Sequence, residues 1–161
     1  MGNMQGTAIA ALATLLLTSP QGGRKPLDAT ASVTPSSVKP GAQGVFKITL
    51  HLIEGVHVNA SITSDPYLIP TVFTPNAMAA VRWGVVEYPE PVQATEWYST
   101  EPLLVYRDTA VITVPFQVAP HTTAKQAELS GILEAQACDH EQCYPPRRIT
   151  LTARIKIEPP R

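Results

Sequence analysis

The chain has two cysteines, Cys138 and Cys143, which lie five positions apart in the segment ACDHEQCYPP, residues 137–146. A fully extended chain would hold their α-carbons about 16 Å apart, whereas a disulfide requires about 4.4 to 6.8 Å. The segment must therefore fold back on itself if the two sulfurs are bonded. The flanking patterns allow this, because residues 128–137 and 149–157 are typical of the two strands of a hairpin. A disulfide would then join the two arms near the tip, residues 139–142.

Such a bond could be a structural clip or a centre for thiol–disulfide exchange. Closing so small a ring contributes only about 2 kcal/mol by the chain-entropy estimate, at the low end for disulfides. Stabilising disulfides in immunoglobulin-like sandwiches normally join the two sheets and close a much longer loop. A small, exposed ring is more typical of a labile, exchangeable disulfide. The spacing therefore favours redox exchange, with the structural clip as an alternative.

A metal site is a further alternative, because His140 lies between the two thiols. Two Cys and one His supply three ligands, and His57 or His51 could supply a fourth. However, CxHxxC within one tight turn is not a common zinc spacing, and the chain has no further cysteine. The ordinary expectation is that His140 is a solvated turn residue and that His57 is a strand residue with a satisfied hydrogen bond.

Two acidic residues, Asp139 and Glu141, lie between the thiols. Negative neighbours disfavour a thiolate, so we expect them to raise the pKa of the cysteines unless His140 is protonated. The thiols are therefore expected to be poor spontaneous nucleophiles that a docked partner must activate.

Charge and composition exclude several classes of protein. The 161 residues include 12 Lys plus Arg and 13 Asp plus Glu, and the net charge of -1 argues against binding to nucleic acid or to anionic lipid. Charged residues make up only 16% of the chain, below the usual share of roughly 25%, and its 16 prolines are about twice the usual share. Proline breaks helix interiors, so a helical bundle or coiled coil is disfavoured. The 44% of hydrophobic residues is enough for the core of one domain.

From Leu27 onward the hydrophobic pattern has a period of two, as in half-buried strands. Residues 45–53, 109–118 and 149–157 each have one apolar and one polar face, which favours antiparallel sheets. The predicted strands are residues 28–34, 45–53, 57–60, 68–73, 79–87, 103–106, 109–118, 128–138 and 149–157. Turns or strand ends are expected at residues 39–41, 54–55, 65–66, 74–76 and 119–120. This pattern predicts an all-β, immunoglobulin-like sandwich of two antiparallel sheets, with a barrel as the alternative.

Residues 1–24 are interpreted as a signal-like or disordered segment ahead of a single domain, residues 25–161. Residues 7–18 are uncharged and largely apolar, too few for the ~20 residues of a membrane span but of the length of a signal-peptide core. No other uncharged run approaches spanning length. The signal interpretation places the folded domain in an oxidising compartment, where disulfides persist.

Three segments resemble one family of redox proteins. They are AQAC through CYPP at residues 135–146, GVHVNA at residues 55–60 and SDPYLIPT at residues 64–71. Together with the order of the predicted strands, they make most of residues 25–157 similar to the N-terminal periplasmic domain of the thiol:disulfide interchange protein DsbD, an immunoglobulin-like domain. The segment between the two cysteines, followed by an aromatic residue and two prolines, is the most specific of the three.

The resemblance implies a periplasmic domain that accepts electrons from a membrane-embedded partner through a thioredoxin-like domain. It would pass them to periplasmic disulfide isomerases or other thioredoxin-fold proteins. Cys138 and Cys143 would be the redox pair, with Cys143 forming the mixed disulfide and Cys138 resolving it. The family also has a cap loop that bears an aromatic residue over the cysteines, and Glu96, Trp97 and Tyr98 match it here, with Trp97 as the covering ring.

The residues predicted to surround the redox pair are Asp139, His140, Glu141, Tyr144 and Pro145. No bound cofactor or metal is expected. Four residues separate the cysteines where the best-known family members have five, so the ring geometry and potential are not transferable. We expect a fragment or a stand-alone module supplied with electrons in trans, since the sequence contains no membrane or thioredoxin-like domain. The alternatives are a secreted β-sandwich binding module with a structural disulfide and a Cys/His metal carrier.

Overall fold

The computed structural model describes residues 25–159, and these form strands, turns and loops without a helix. The strands are β1 (Leu27–Thr34), β2 (Ser37–Val38), β3 (Gln43–Leu52), β4 (His57–Asn59), β5 (Val72–Pro75), β6 (Val81–Trp83), β7 (Val92–Ala94), β8 (Leu103–Arg107), β9 (Thr109–Val118), β10 (Gln126–Ala135), β11 (Ala137–Cys138) and β12 (Arg147–Ile157). The signal-like segment predicted at residues 1–24 lies outside this range. Within residues 25–159 no helix has the length and apolar character that crossing a membrane requires.

Hydrogen bonding arranges these strands in three sheets of four. The first sheet has the order β1-β3-β9-β6, the second β2-β12-β10-β5 and the third β11-β4-β8-β7. All pairs between named strands are antiparallel except β2 with β12. The predicted all-β, antiparallel, immunoglobulin-like sandwich is confirmed, and the structure adds the third sheet.

The core forms where the apolar faces of the alternating strands meet. Phe46, Ile48 and Leu50 of β3 are fully buried and belong to the same apolar cluster as Leu129 and Leu133 of β10. Phe46 in the first sheet stacks on Phe73 in the second, with ring centroids 5.7 Å apart. These contacts hold the first and second sheets face to face, and the polar residues of the same strands face outward.

The third sheet has one face on this core and the other under two loops. On β8, Leu104 and Tyr106 contact the main core, whereas Leu103 and Val105 lie in a separate cluster beneath Leu68 and Tyr98. We call this second side the outer face of the third sheet. Residues paired across neighbouring strands project to the same side, so the register fixes which side chains share the outer face.

Three strand predictions need correction. Residues 68–73 form a strand only from Val72, because Pro66 and Pro70 interrupt the pairing, and residues 79–87 form one only over Val81–Trp83. Residues 128–138 are two strands in different sheets, divided at Gln136.

Residues 74–76, predicted as a turn or a strand end, are a strand end, because β5 includes Thr74 and Pro75 and ends there. This strand lies at the edge of the second sheet, where a proline without an N–H is tolerated. The sequence pattern did not predict β2 and β7, because strands of two and three residues are too short to display an alternating pattern.

Candidate functional site

The two cysteines lie in a short turn beyond the hairpin of β10 and β12. That hairpin pairs from Gln126 with Lys156 to Ala135 with Arg147, as predicted. The backbone N–H of Tyr144 donates to the Ala137 carbonyl at 2.8 Å, and the N–H of Asp139 donates to the Gln142 carbonyl at 2.9 Å.

Cys138 and Cys143 lie between these two hydrogen bonds as an antiparallel pair and form a disulfide, with α-carbons 4.0 Å apart. The fold-back that a disulfide requires is therefore supplied by the backbone of the turn.

The two cysteines differ in their exposure to solvent. Cys138 ends β11 and is only 1% exposed, whereas Cys143 lies on the exposed side of the turn. A nucleophile arriving from solvent therefore meets Cys143 first. Attack at Cys143 would make the buried Cys138 the leaving group.

The carboxylate of Asp139 organises the turn. Its Oδ1 accepts hydrogen bonds from the backbone N–H groups of Glu141 at 2.8 Å and Gln142 at 2.9 Å, and its Oδ2 accepts one from the Tyr144 hydroxyl at 2.6 Å. The Tyr144 bond and then the two backbone bonds lower the pKa of Asp139 to about 2, and the same bond raises the pKa of Tyr144. Asp139 is thus a permanent anion beside Cys138 near neutral pH. The expectation that it raises the thiol pKa stays a prediction.

His140, Glu141 and Pro145 are exposed on the turn. The imidazole of His140 lies 3.4 Å from the Glu141 carboxylate, and their side chains are 84% and 75% exposed. Among residues 25–159 no group of three or more His, Cys, Asp or Glu side chains is arranged to hold a metal ion. His140 is thus a solvated turn residue, as its position in the sequence suggested.

A row of three paired residues crosses the outer face of the third sheet. Cys138 on β11 pairs with His57 on β4, and His57 pairs with Arg107 on β8. Directly paired residues place their Cβ atoms about 4.5 to 5.5 Å apart on one side of the sheet. The buried imidazole of His57 is therefore the immediate cross-strand neighbour of the buried cysteine.

The predicted cap loop, defined here as residues 95–102 between β7 and β8, folds over this row. Its Glu96 carboxylate accepts a hydrogen bond from Arg107 and lies 3.5 Å from Nδ1 of His57. The Glu96 side chain is only 9% exposed. One carboxylate thus connects the loop to two members of the row.

The two aromatic residues of the cap loop contact the other parts of the site. The indole N–H of Trp97 donates to the Asp139 carbonyl at 3.1 Å, and the Tyr98 hydroxyl hydrogen-bonds Nε2 of His57 at 2.7 Å. The Trp97 and Tyr98 rings meet edge to face, and Tyr98 stacks on His57. The structure thus brings Trp97 to the disulfide turn, and brings Glu96 and Tyr98 to His57 beside it.

Burial controls the protonation of the covered groups. It lowers the pKa of His57, an effect that Arg107 reinforces and that Glu96 and Asp139 oppose. Burial and the nearby Glu96 raise the pKa of Tyr98 to about 12. The hydrogen bond between Tyr98 and His57 therefore joins a neutral phenol to an imidazole whose neutral form is favoured by burial.

Sequence reasoning missed the part that Arg107 plays and assigned His57 only as a possible ligand or an ordinary strand residue. Arg107 is 11 positions from Glu96 and 50 from His57, and only the strand register brings the three together. A charged residue at the end of an apolar strand was the one available signal.

Comparison with known proteins places these features in context. A family model described as "Thiol:disulfide interchange protein DsbD, N-terminal" matches residues 27–154. No curated protein sequence matches the chain.

Two solved structures are similar in fold. The DsbD N-terminal domain of Neisseria meningitidis in the reduced form is 16% identical, with 71% of this chain and 76% of that chain covered and a TM-score of 0.43. The N-terminal periplasmic domain of ScsB from Proteus mirabilis is 14% identical, with 84% and 48% covered and a TM-score of 0.47. The chain thus matches about half the length of the ScsB domain.

Proposed function

Because the chain belongs to the family of the N-terminal domain of the thiol:disulfide interchange protein DsbD, we propose that it is a periplasmic module that relays electrons by thiol–disulfide exchange. Its donor is a thioredoxin-like domain supplied by a membrane-embedded redox protein. Its acceptors are periplasmic disulfide isomerases or other thioredoxin-fold proteins, so it acts as a protein-disulfide reductase. The observation that carries the proposal is the difference in exposure between Cys143 and Cys138 within one disulfide.

Reduction begins when a thiolate of the donor attacks Sγ of Cys143. The disulfide breaks, its electron pair leaves on Cys138 as a thiolate, and the donor is joined to Cys143 by a mixed disulfide. The donor's second thiol then loses its proton and attacks the donor sulfur of that bond, which releases Cys143. The donor is left as a disulfide and the domain as a pair of thiols, once each thiolate has taken a proton from solvent or from the donor.

Delivery is the reverse sequence. Cys143 attacks the disulfide of an oxidised acceptor, and Cys138 resolves the mixed disulfide, so that the acceptor leaves with two thiols. The buried position of Cys138 suits the resolving role, because an intramolecular attack needs no access from solvent. Asp139 and the cap loop disfavour the reaction until a partner docks and moves the loop.

The reduction potential of the Cys138–Cys143 couple tests this function. The full chain is equilibrated with glutathione or dithiothreitol buffers, and the reduced fraction is counted by alkylation and mass spectrometry. We expect a potential between about -270 and -120 mV, the range of exchange proteins. A value below about -300 mV would identify a structural clip and overturn the proposal.

A further inference from the structure

His57 is a buried titratable residue that the exchange steps do not use. It is only 1% exposed and lies between Cys138 and Arg107 on the outer face of the third sheet. A buried polar side chain normally has at least one hydrogen-bond partner. Both ring nitrogens of His57 face the cap loop.

The contacts of His57 connect it to the two ends of the segment 96–98. Its Nε2 is 2.7 Å from the Tyr98 hydroxyl, its Nδ1 is 3.5 Å from the Glu96 carboxylate, and its ring stacks on that of Tyr98. Trp97, between them, has one hydrogen bond to the disulfide turn and is 60% exposed. Arg107 also donates a hydrogen bond to Glu96. The loop is therefore held from below, through His57 and Arg107, more than from the disulfide side.

The charge state of His57 bears on this attachment. The groups that face it are Glu96 and Tyr98 from the cap loop, Arg107 from β8, Asp139 from the turn and Cys138 from β11. Glu96 and Asp139 favour the imidazolium, whereas burial and Arg107 disfavour it, and burial is the largest effect. Raising the cap loop would hydrate the ring and remove the cost of charging it.

The linkage between the proton and the loop then has a definite sign. The pKa of His57 is lower beneath the closed loop than its ordinary value near 6.5, which an opened loop would restore. Closure is therefore favoured fully above about pH 6.5 and is weakened as the pH falls below it.

We propose that neutral His57 is the positioning residue that holds the segment 96–98 against the disulfide turn, and that protonation of His57 releases this segment. The proposal rests on the exchange function proposed above and deepens it, since it says what holds the cap loop against the disulfide turn between partners. In a domain of this design the segment 96–98 is released more often in mildly acidic surroundings.

The test measures how fast a small neutral phosphine reduces the oxidised full chain between pH 5.5 and 7.5. Each rate is divided by that of a short, unhindered disulfide peptide at the same pH, which removes the pH dependence of the reagent. The normalised wild-type rate should rise as the pH falls, by at most about tenfold per pH unit below 6.5. A wild-type rate that is flat with pH would overturn the proposal.

Variants assign the effect to His57. His57→Gln keeps a neutral side chain that can hydrogen-bond Tyr98, so its rate should be low and independent of pH. His57→Ala should be fast and equally independent of pH. His51→Gln, which removes an exposed imidazole on β3, should retain the wild-type slope. A wild-type slope in His57→Gln would contradict the assignment, even if His57→Ala does not fold.

The phosphine assay needs no protein partner, so it separates this proposal from the exchange function. A normalised rate that depends on His57, together with a potential below about -300 mV, would support the role of His57 in holding the cap loop and reject the exchange function. A potential in the exchange range with a rate that ignores His57 would do the reverse.

Discussion

The indole N–H of Trp97 donates a 3.1 Å hydrogen bond to the carbonyl oxygen of Asp139, the residue that follows Cys138. This bond connects the cap loop to the turn that carries the disulfide. A single hydrogen bond contributes about 1 kcal/mol, and the Trp97 side chain remains 60% exposed. A partner protein that displaces Trp97 from the turn therefore loses little free energy in breaking this contact.

Removing the Trp97 ring should open the disulfide turn to small reagents. In Trp97→Ala we expect the oxidised chain to be reduced by a small phosphine several-fold faster than wild type, and the reduced thiols to be alkylated faster. Tyr67→Ala is a suitable control, because Tyr67 is an equally aromatic but 91% exposed residue outside the cap loop. Equal rates for Trp97→Ala and wild type would remove Trp97 from the site.

The turn should lose stability in strong acid through Asp139. The pKa of Asp139 is lowered to about 2 by its hydrogen bonds, below its value in the unfolded chain near 3.8, so its stabilisation is complete above about pH 4. It is lost as the pH falls through 2. Thermal unfolding at pH 5, 3 and 2 should reveal this loss in wild type.

The matched variants are Asp139→Asn and Glu141→Gln. Asp139→Asn should be less stable than wild type at pH 5, and its stability to thermal unfolding should decline less in acid. Glu141→Gln removes a carboxylate from the same turn without touching the bonds of Asp139. Identical pH profiles for Asp139→Asn and wild type would show that the carboxylate does not organise the turn.

Reduction of the disulfide should leave the fold intact. The ring closes over five positions, for which chain entropy predicts a loss of about 2 kcal/mol in the free energy of unfolding. The ten residue pairs between β10 and β12 remain and hold the hairpin without it. Urea unfolding of oxidised and reduced chain measures the difference. Unfolding on reduction would indicate that the bond is a necessary structural clip.

Local pattern was sufficient to predict the long strands and the hairpin. Strands β3, β9 and β12 alternate between apolar and polar residues over at least ten positions, and each lies within one sheet. The division at Gln136 was not predictable, because both sides of it continue the same alternation while the chain passes from the second sheet to the third.

The prediction of the candidate site was limited in the same way. The positions of the two cysteines and of Trp97 were available from the sequence and its resemblance to a family. The row of Cys138, His57 and Arg107 depends on the register of three short strands, and no local pattern specifies it. The role of Asp139 was equally unpredictable from the sequence, because its hydrogen bond to Tyr144 depends on how the turn closes.

The most direct test of the exchange function compares the two single-cysteine variants, Cys138→Ser and Cys143→Ser. Each is mixed with a thioredoxin that lacks its resolving cysteine and carries its remaining thiol as a mixed disulfide with thionitrobenzoate. We predict that Cys138→Ser, with the exposed Cys143, releases thionitrobenzoate and forms the protein–protein disulfide at least tenfold faster than Cys143→Ser. Equal rates, or no adduct with Cys138→Ser, would contradict exchange through Cys143.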